Sequence, residues 1–273
     1  MDDSPYIHGR SEREAERLHY QASRLAGLLH RDTRYPPESR VLEAACGVGG
    51  QTVILAGNSP GATFVSLDIS PESLTLAEQR VQAEGISTVT FRQGDVCHLP
   101  FSEASFDHVF VCFLLEHLPD PLLALSNLRE VLKPGGTITV IEGDHGSALF
   151  YPDSPSAHRV IDCLVALQGQ TGGNALIGRQ LWRLLNEAGF ITVTVSPRQV
   201  YADCSTPESF EAVKHIFIAM IEGVREEAIR SGLIDAPAWE RGIRDLYRTT
   251  EKGGSFCYTF FKAVGVKGKQ ERG

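Results

Sequence analysis

The chain has 273 residues, of which 42% are hydrophobic and 22% are charged, as is ordinary for a globular protein. Its net charge is −8 at pH 7 and its basic residues form no block, which argues against a dedicated nucleic-acid-binding protein. No apolar run approaches the roughly 18 residues of a membrane span, and the acidic N-terminus is unlike a signal peptide, so we expect a cytoplasmic protein. The six cysteines show no CxxC pair or zinc spacing, so we predict free thiols and no metal.

Along the chain, apolar patterns of helical and strand period alternate. The predicted helices cover residues 11–30, a stretch ending near 56, 71–84, 121–132, 179–188, 207–231 and 237–249. The predicted strands cover residues 40–45, 62–68, 89–93, 106–113, 137–142, 190–196 and 255–264. This alternation predicts an α/β fold, a doubly wound, mostly parallel sheet of seven strands that binds its ligand at the carboxyl ends of the strands.

The pattern predicts one main domain with added helical segments. We expect an N-terminal helical lid over residues 1–35 and the sheet domain over residues 36–273. Insertions at about 145–177 and 198–250 are expected to cap the sheet edge and enclose a substrate chamber, which suits a small molecule better than a macromolecule.

The most informative segment is Val41 to Gly50 (VLEAACGVGG), in which an apolar strand runs through a glycine-rich turn into a helix. Its glycines let the backbone take positive φ and approach a ligand closely. The spacing fits a dinucleotide fingerprint poorly, and no Lys-Ser/Thr follows, which excludes a P-loop. Glu43 at the strand end repels a pyrophosphate but suits a cationic ligand.

Acidic residues also end the next two predicted strands. Asp68 is placed to accept hydrogen bonds from a ribose diol, as an acid does at this point of related nucleotide-binding folds. Asp95 follows Gly94 and is placed to accept from an exocyclic amine, while Val96 packs on a purine face. The pattern therefore favours a cationic nucleoside as ligand.

In their order, Glu43 to Gly49 (EAACGVG), Asp68, Gly94-Asp95 and Leu132 to Gly136 (LKPGG) resemble the motifs of the class I S-adenosylmethionine-dependent methyltransferases. The resemblance covers roughly residues 38–143. Phe110 to Leu118 (FVCFLLEHL) is similar to a segment of the small-molecule branch of that family. Ala45 stands where many members carry glycine, a departure that we expect to cost little.

The resemblance implies S-adenosyl-L-methionine as cofactor and gives roles to particular residues. The backbone from Glu43 through Ala45 and Cys46 to Gly47 would hold the methionine part, and Asp68 the ribose. The residues implied to border the adenine and the sulfonium are Ile69, Asp95, Val96, Cys112 and Phe113. An N-terminal helix often fixes the cofactor carboxylate in this family, which makes Tyr20, Gln21 and Arg24 candidates.

The acceptor side is less defined. Glu116, His117, Asp144 and His145 follow predicted strands at the carboxyl edge and are the catalytic candidates, with His145 the best general base because an imidazole titrates near neutral pH. Helix caps or borders are the alternative roles for these residues. The candidate substrate-lining residues are Tyr6, Tyr151, Arg179, Tyr201, Phe256 and Tyr258, for which core or surface roles are the alternative.

The expected function is methyl transfer to a small molecule, in secondary metabolism, with the protein aligning the reactants. The chain is also similar to the indole C3-methyltransferases of pyrroloindoline alkaloid pathways. The alternatives are a same-fold enzyme that diverts the cofactor to another reaction such as cyclisation, a binding protein without activity, and a nicotinamide oxidoreductase, which the glycine pattern disfavours. Whether the chain is a monomer or a homodimer is left open.

Overall fold

The computed structural model describes residues 12–269. Eight strands form one sheet: β1 (Arg40–Ala44), β2 (Thr63–Asp68), β3 (Val89–Gln93), β4 (Phe106–Cys112), β5 (Leu132–Gly143), β6 (Leu149–Tyr151), β7 (Phe190–Asp203) and β8 (Ser255–Lys267). The α-helices are α1 (Glu12–Leu29), α2 (Gly50–Asn58), α3 (Pro71–Ala83), α4 (Pro121–Val131), α5 (Pro155–Gln170), α6 (Leu181–Glu187), α7 (Pro207–Ala212), α8 (Ala219–Glu222), α9 (Arg225–Arg230) and α10 (Ala236–Arg248).

The sheet runs in the order β3-β2-β1-β4-β5-β8-β6, and β7 pairs with β8. Strands β1 to β5 are parallel neighbours, whereas β8 is antiparallel to β5, β6 and β7. The predicted doubly wound, mostly parallel sheet is therefore confirmed. The predicted count of seven strands is wrong, because the three-residue β6 is too short to carry a periodic signal.

Two predicted strand boundaries are wrong by five residues or more. Strand β5 begins at Leu132 instead of residue 137, because Leu132 pairs with Phe106. The Lys-Pro-Gly-Gly segment then forms an irregularity between this pair and the pair of Thr137 with His108. Strand β7 extends to Asp203, beyond the predicted end at residue 196, since β8 offers it a partner along almost its whole length.

The long helix predicted over residues 207–231 is interrupted. A π-helical stretch, Val213–Ile218, separates α7 from α8, and the chain leaves helical geometry at Gly223 and Val224 before α9. Glycine has low helix propensity, which permits the break, and the wider π turn lets both Phe217 and Ile218 face the core.

The two faces of the sheet have separate cores. The α1 face carries Phe110, Ile141 and Phe260, which pack under α1, α5 and α10. The opposite α4 face carries Val109, Val140 and residues of α4 and α6. Since side chains alternate along a strand, each buried strand supplies both cores at once.

The connections at the carboxyl edge of the sheet place the chemistry-bearing residues. The glycine-rich loop follows β1, one short 3-10 turn (Leu115–His117) follows β4, and another (His145–Ser147) follows β5. Helices α5 and α10 pack against each other beside this edge. Within residues 12–269, no helix is both long and apolar enough to cross a membrane.

Candidate functional site

The glycine-rich loop after β1 has a left-handed backbone at three positions, with φ of 59° at Ala45, 52° at Gly47 and 76° at Gly49. A Cβ on Gly49 would lie 2.9 Å from Cα of Ala77, so this glycine is required by the close approach of α3. A Cβ on Gly47 would meet nothing within 4 Å, so open space lies beside the loop at that point. The loop therefore exposes its backbone to a ligand.

The expectation that alanine costs little at position 45 is wrong. An L-residue in left-handed geometry is destabilised by roughly 1–2 kcal/mol relative to its ordinary conformations. The strain is held by the surrounding loop, where the amide of Cys46 donates to the carbonyl of Leu67 at 2.9 Å. Strained backbone of this kind clusters at functional sites.

Asp68 joins this loop to the end of β2. One carboxylate oxygen accepts from the amide of Gly47 at 2.8 Å and the other from the amide of Ser70 at 2.9 Å. Each oxygen retains a lone pair, so the carboxylate is still able to accept from a diol. Beside it, Ile69 is 57% exposed, which leaves it available to flank a flat ring.

Asp95 lies after β3 and is oriented by its own turn. Its carboxylate accepts from the amide of Cys97 at 2.8 Å and lies 3.2 Å from Nδ1 of His98. Partial burial opposes ionisation, but these two contacts outweigh it and lower the pKa of Asp95. Val96 is 7% exposed and forms part of the core below the turn.

Glu43 lies inside the protein, not at the surface of the loop. The side chain is 2% exposed, and one carboxylate oxygen accepts from the hydroxyls of Thr52 and Ser66, each at 2.7 Å. Burial raises the pKa of Glu43 to about 7 despite these two hydrogen bonds. The other oxygen has no partner among the described residues. The electrostatic attraction expected from Glu43 is consequently weaker than that of a fully ionised acid.

The two cysteines of the site are small core residues. Cys46 and Cys112 are 6% and 8% exposed, and burial raises the pKa of both thiols, which makes them poor nucleophiles. Phe113, directly after β4, has a positive φ of 55°, a second strained position at the same edge.

The candidate residues on α1 contact neighbours on the same helix, and Tyr20 also contacts His215 in the π-helical stretch. Arg17 donates to Gln21 at 2.8 Å, the guanidinium of Arg24 lies 5.2 Å from the Tyr20 ring centroid, and the Tyr20 and His215 rings are 5.5 Å apart. Whether these residues reach a cofactor carboxylate stays a prediction. Tyr6 lies outside the described residues.

The acceptor side centres on His145. Its Nδ1 lies 3.0 Å from the hydroxyl of Tyr258 and its Nε2 lies 3.6 Å from a carboxylate oxygen of Glu116. All three residues are buried, at 6%, 4% and 8% exposure. The structure thus brings three of the predicted residues into one cluster, which we call the His145 cluster.

Glu116 is held from several sides. The side-chain amide of Gln168 donates to its backbone carbonyl at 2.9 Å and to its carboxylate at 3.3 Å, and His117 Nε2 lies 3.7 Å from the other oxygen. Burial opposes ionisation, but His117 and His145 outweigh it, so the pKa of Glu116 is lowered.

A second buried acid, Glu142 at the end of β5, lies beneath the His145 cluster. One of its oxygens accepts from the amides of Leu114 and Leu115, at 3.0 and 2.8 Å. Burial and the nearby Glu116 carboxylate raise the pKa of Glu142, whereas the pKa of Glu116 is lowered. The pKa values of the two buried acids at this edge of the sheet are therefore shifted in opposite directions.

Asp144 and Arg179 are paired with each other. Arg179 makes a bidentate contact to Asp144 at 2.5 and 2.7 Å, and Asp144 also accepts from the amide of Gly146 at 3.1 Å. Both carboxylate oxygens are engaged, so Asp144 fixes the turn that carries His145. This arrangement favours a positioning role for the pair over a direct one in proton transfer.

A series of aromatic rings leads from the His145 cluster to Phe113, on the side of the glycine-rich loop. The ring centroids of Phe113 and Phe260 are 5.6 Å apart, those of Phe260 and Tyr258 4.8 Å, and those of Tyr258 and Phe217 5.4 Å. Phe256 lies 4.8 Å from Phe217 at the far end. The chain of rings forms an apolar wall beside the acids and the imidazole.

Three residues of this site were not predicted: Phe217, Phe260 and Gln168. Gln168 carried a usable signal, since it lies four residues after Leu164 on the buried face of α5 and is itself 1% exposed. A polar side chain on an apolar helix face indicates a buried hydrogen-bond partner. The two phenylalanines gave no signal that separates them from ordinary core residues.

Tyr151 and Tyr201 are not brought to the cluster. They are 63% and 61% exposed. Tyr201 is paired with Cys257 on β8, and successive strand residues point to opposite faces, so it lies on the face opposite to Phe256 and Tyr258. Among residues 12–269, no group of three or more His, Cys, Asp or Glu is arranged to hold a metal ion.

Comparison with known proteins agrees with this geometry. A family model described as a methyltransferase domain matches residues 42–140. An uncharacterised 37.1 kDa protein in transposon TN4556 of Streptomyces fradiae is 30% identical over 217 residues, covering 77% of this chain and 58% of that protein. An uncharacterised methyltransferase of Schizosaccharomyces pombe is 28% identical over 224 residues, covering 76% of this chain and 78% of that protein.

Among solved structures, phosphoethanolamine N-methyltransferase 2 of Haemonchus contortus, in complex with phosphomonomethylethanolamine and S-adenosylhomocysteine, is similar with a TM-score of 0.58. It is 21% identical, and the match covers 91% of this chain and 53% of that chain. This chain thus spans little more than half the length of the transposon protein and of the nematode enzyme.

Residues 42–140 match the methyltransferase domain family, and the chain has the fold of the class I S-adenosylmethionine-dependent methyltransferases. Proteins of this class use S-adenosyl-L-methionine. The residues present fit this group: space is open beside Gly47, Ile69 is exposed, and Asp68 retains acceptor capacity.

Proposed function

We propose that this protein transfers a methyl group from S-adenosylmethionine to a small molecule held against the His145 cluster. The observation that carries the proposal is the buried contact of His145 with both Tyr258 and Glu116, at the carboxyl ends of β4 and β5 and beside Phe113. In an open α/β sheet, ligands bind at this edge.

When bound, the cofactor supplies a methyl group on a positively charged sulfur. In our proposal the backbone at Ala45 and Gly47 binds its methionine part, Asp68 its ribose hydroxyls and Asp95 its adenine amine. Ile69 and Val96 flank the adenine. The main contribution of the chain is alignment, since an effective molarity of this kind lowers a barrier by roughly 7–11 kcal/mol.

The His145 cluster would handle the proton that the acceptor loses. Burial raises the pKa of Tyr258, so its hydroxyl stays protonated and donates to Nδ1 of His145. As the acceptor gives its proton to the oxygen of Tyr258, Tyr258 passes its own proton to Nδ1. The carboxylate of Glu116 then stabilises the imidazolium from the side of Nε2, 3.6 Å away.

We further propose that the acceptor is a flat aromatic molecule of secondary metabolism. The specific candidate for the methylated atom is C3 of an indole. The aromatic wall from Phe113 to Phe256 supports a ring substrate, since aromatic faces pack favourably on one another. After methylation at C3, closure of an internal amine onto the ring releases one proton, which the Tyr258–His145 pair would accept.

The test is a screen of small acceptors with the purified full chain and saturating S-adenosylmethionine, followed by mass spectrometry. We expect a product heavier by one methylene together with S-adenosylhomocysteine, with aromatic heterocycles preferred to aliphatic amines. Tyr258→Phe is the matched variant, since it removes only the hydroxyl and should slow turnover of a proton-losing acceptor about 10²-fold or more.

Two outcomes contradict the proposal. Formation of methylthioadenosine without a methylated product would indicate that the cofactor is diverted to another reaction. Calorimetry without measurable binding of S-adenosylmethionine would indicate that the chain does not use this cofactor at all.

A further inference from the structure

A cleft lies on the α1 face of the sheet, at the half opposite to the His145 cluster. Its volume is about 280 Å³. It is lined by Asp32, Thr33, Arg34, Tyr35, His108, Thr137, Thr139, Thr194, Ser196, Arg198, Lys262 and Val264. None of the residues discussed for the cofactor or the acceptor belongs to this set. Thr137 marks the end of the cleft that is farthest from the carboxyl edge, five residues or about 16 Å before Glu142 along β5. Lys262 and Arg198 lie at the nearer end, where they pair with Ile141 and Phe260.

On the α1 face, the central strands carry apolar side chains near the carboxyl edge and polar side chains in the other half. Near the carboxyl edge, the α1 face carries Phe110, Ile141 and Phe260. In the cleft, the same face of β4, β5 and β7 carries the imidazole of His108 and the hydroxyls of Thr137, Thr139, Thr194 and Ser196. No described helix lines this half of the face, so polar donors replace the core residues.

Two cations are buried in the cleft. The side chains of Lys262 and Arg198 are 5% and 8% exposed, and both contact the single carboxylate of Asp32, which is half exposed. Lysine and arginine are rarely buried to this degree unless they are fully paired. Here two cations share one carboxylate, and Arg34 adds a third cation to the lining.

Both buried cations retain donor capacity. The ammonium of Lys262 has three protons and contacts two acceptors, Asp32 and Thr33, each at 2.7 Å. Nε of Arg198 has no partner among the described residues. Hydrogen bonds from both cations outweigh partial burial and lower the pKa of Asp32 to about 2, so the carboxylate stays ionised and still leaves the cleft with an excess of positive charge.

We propose that this cleft is a second ligand site, distinct from the cofactor and acceptor sites, which binds the phosphate group of a small molecule. The Arg198 guanidinium and the Lys262 ammonium would bind two phosphate oxygens, and the threonine and serine hydroxyls would donate to the others. The size supports a small ligand, since about 280 Å³ lies just below the usual range of ligand pockets. A positive cleft is also conspicuous in a chain of net charge −8.

The alternative is structural: the Asp32–Lys262–Arg198 group ties the end of α1 to β7 and β8 and binds nothing. Arg34 separates the two interpretations because it is exposed and contributes charge to the cleft without belonging to that group. Arg183, exposed and paired with Glu187 on α6, is the matched control outside the cleft.

The experiment is calorimetric titration of the full chain with inorganic phosphate at pH 7.5 and constant ionic strength, repeated with glycerol 3-phosphate and with acetate. We expect saturable binding of phosphate, at least 10-fold weaker binding of acetate, and tighter binding of the ester if the natural ligand carries an organic part. Arg198→Gln should weaken phosphate binding at least 10-fold and Arg34→Gln about 3-fold, while Arg183→Gln should leave it unchanged.

His145→Gln should also leave phosphate binding unchanged, which separates this site from a phosphorylated acceptor bound at the His145 cluster. The proposal is overturned if phosphate gives no saturable heat with the wild-type chain, or if acetate binds equally well. It is also overturned if Arg34→Gln and Arg183→Gln bind phosphate with the same affinity as the wild-type chain.

Discussion

The two ends of the sheet are organised differently. At the end formed by β1, β2 and β3 the strands are parallel, and each contributes one short motif at its carboxyl end: the glycine-rich loop, Asp68 and Asp95. At the other end, β8 pairs antiparallel with β5, β6 and β7, and the His145 cluster joins residues 113 positions apart in sequence.

In the proposed function, this difference separates two tasks. The parallel end would present its groups to the nucleoside of the cofactor, whereas the antiparallel end and its helices would shape the space for one acceptor. Substitutions at the parallel end should therefore change cofactor affinity for every acceptor. Substitutions at the antiparallel end should change turnover and leave cofactor affinity intact.

The largest effect is expected for His145→Gln. Removal of the imidazole from the Tyr258–Glu116 pair should lower kcat about 10²- to 10⁴-fold for an acceptor that loses a proton, the range of general-base catalysis. The affinity for S-adenosylhomocysteine, measured by calorimetry, should stay within about twofold of the wild-type value. A loss of cofactor affinity as large as the loss of kcat would contradict the proposal that the two ends of the sheet have separate tasks.

Asp68→Ala is expected to have the next largest effect, at the other end of the sheet. It removes hydrogen bonds to the amides of Gly47 and Ser70 together with the predicted ribose contact. Charge-assisted hydrogen bonds contribute about 1.5–3 kcal/mol each, so S-adenosylmethionine should bind at least about 100-fold more weakly. Asp162→Ala, at an exposed position of α5, is the control and should bind normally.

Glu43→Gln tests the parallel end of the sheet through the pH dependence of the free energy of unfolding. The pKa of Glu43 rises from 4.5 to about 7 on folding because the carboxyl is buried. Below pH 4.5 both states are protonated; as the pH rises toward 7 the unfolded chain ionises first, and the folded state loses stability.

At full ionisation this loss is about 3 kcal/mol in the free energy of unfolding. Denaturant titrations from pH 4.5 to 7.5 should show the glutamine variant gaining stability over the wild type by that amount. Glu84→Gln, at the exposed end of α3, should show no such trend. A pH-independent difference for Glu43→Gln would contradict the buried position.

Ala45→Gly is expected to raise the free energy of unfolding by about 1 kcal/mol, because glycine relieves the left-handed strain at φ of 59°. Ala104→Gly is the matched variant: it has φ of 52° but lies exposed before β4, far from the carboxyl edge. Both should stabilise the chain, and only Ala45→Gly should alter cofactor affinity. Equal cofactor affinity in the two variants would show that the strain at Ala45 has no part in cofactor binding.

The smallest effect is expected for Tyr151→Ser and Tyr201→Ser. Both side chains are exposed and lie away from the His145 cluster, so turnover should change less than twofold. A clear rise in KM for either variant would show that the substrate extends over the outer face of the sheet.

Much of the fold was predictable because its signals are local. The alternation of apolar strands and helices indicated the parallel sheet, and the Ser70 cap is confirmed by its bond from the amide of Ser73 at 3.2 Å. The errors occurred where tertiary pairing overrides local preference. Strand β6 exists only because β8 offers a partner, and the helix predicted over residues 207–231 breaks where the core requires a turn.

The candidate site also contains residues that local sequence predicts and residues whose positions depend on tertiary contacts. Asp68 and Gly47 were predictable because strand ends and glycine spacing mark them in the sequence, and the structure joins them directly. The burial of Glu43 and the pairing of Asp144 with Arg179 were not, since each depends on neighbours from other elements. The contact of Gln168 with Glu116 spans 52 positions and depends on how α5 packs.

The central claim is tested most directly by a crystal structure of the chain with S-adenosylhomocysteine. We expect the ligand to lie along the loop at residues 43–49, with its ribose on Asp68 and its sulfur directed toward the His145 cluster. A ligand bound elsewhere, or a loop whose space beside Gly47 is closed to it, would contradict the claim.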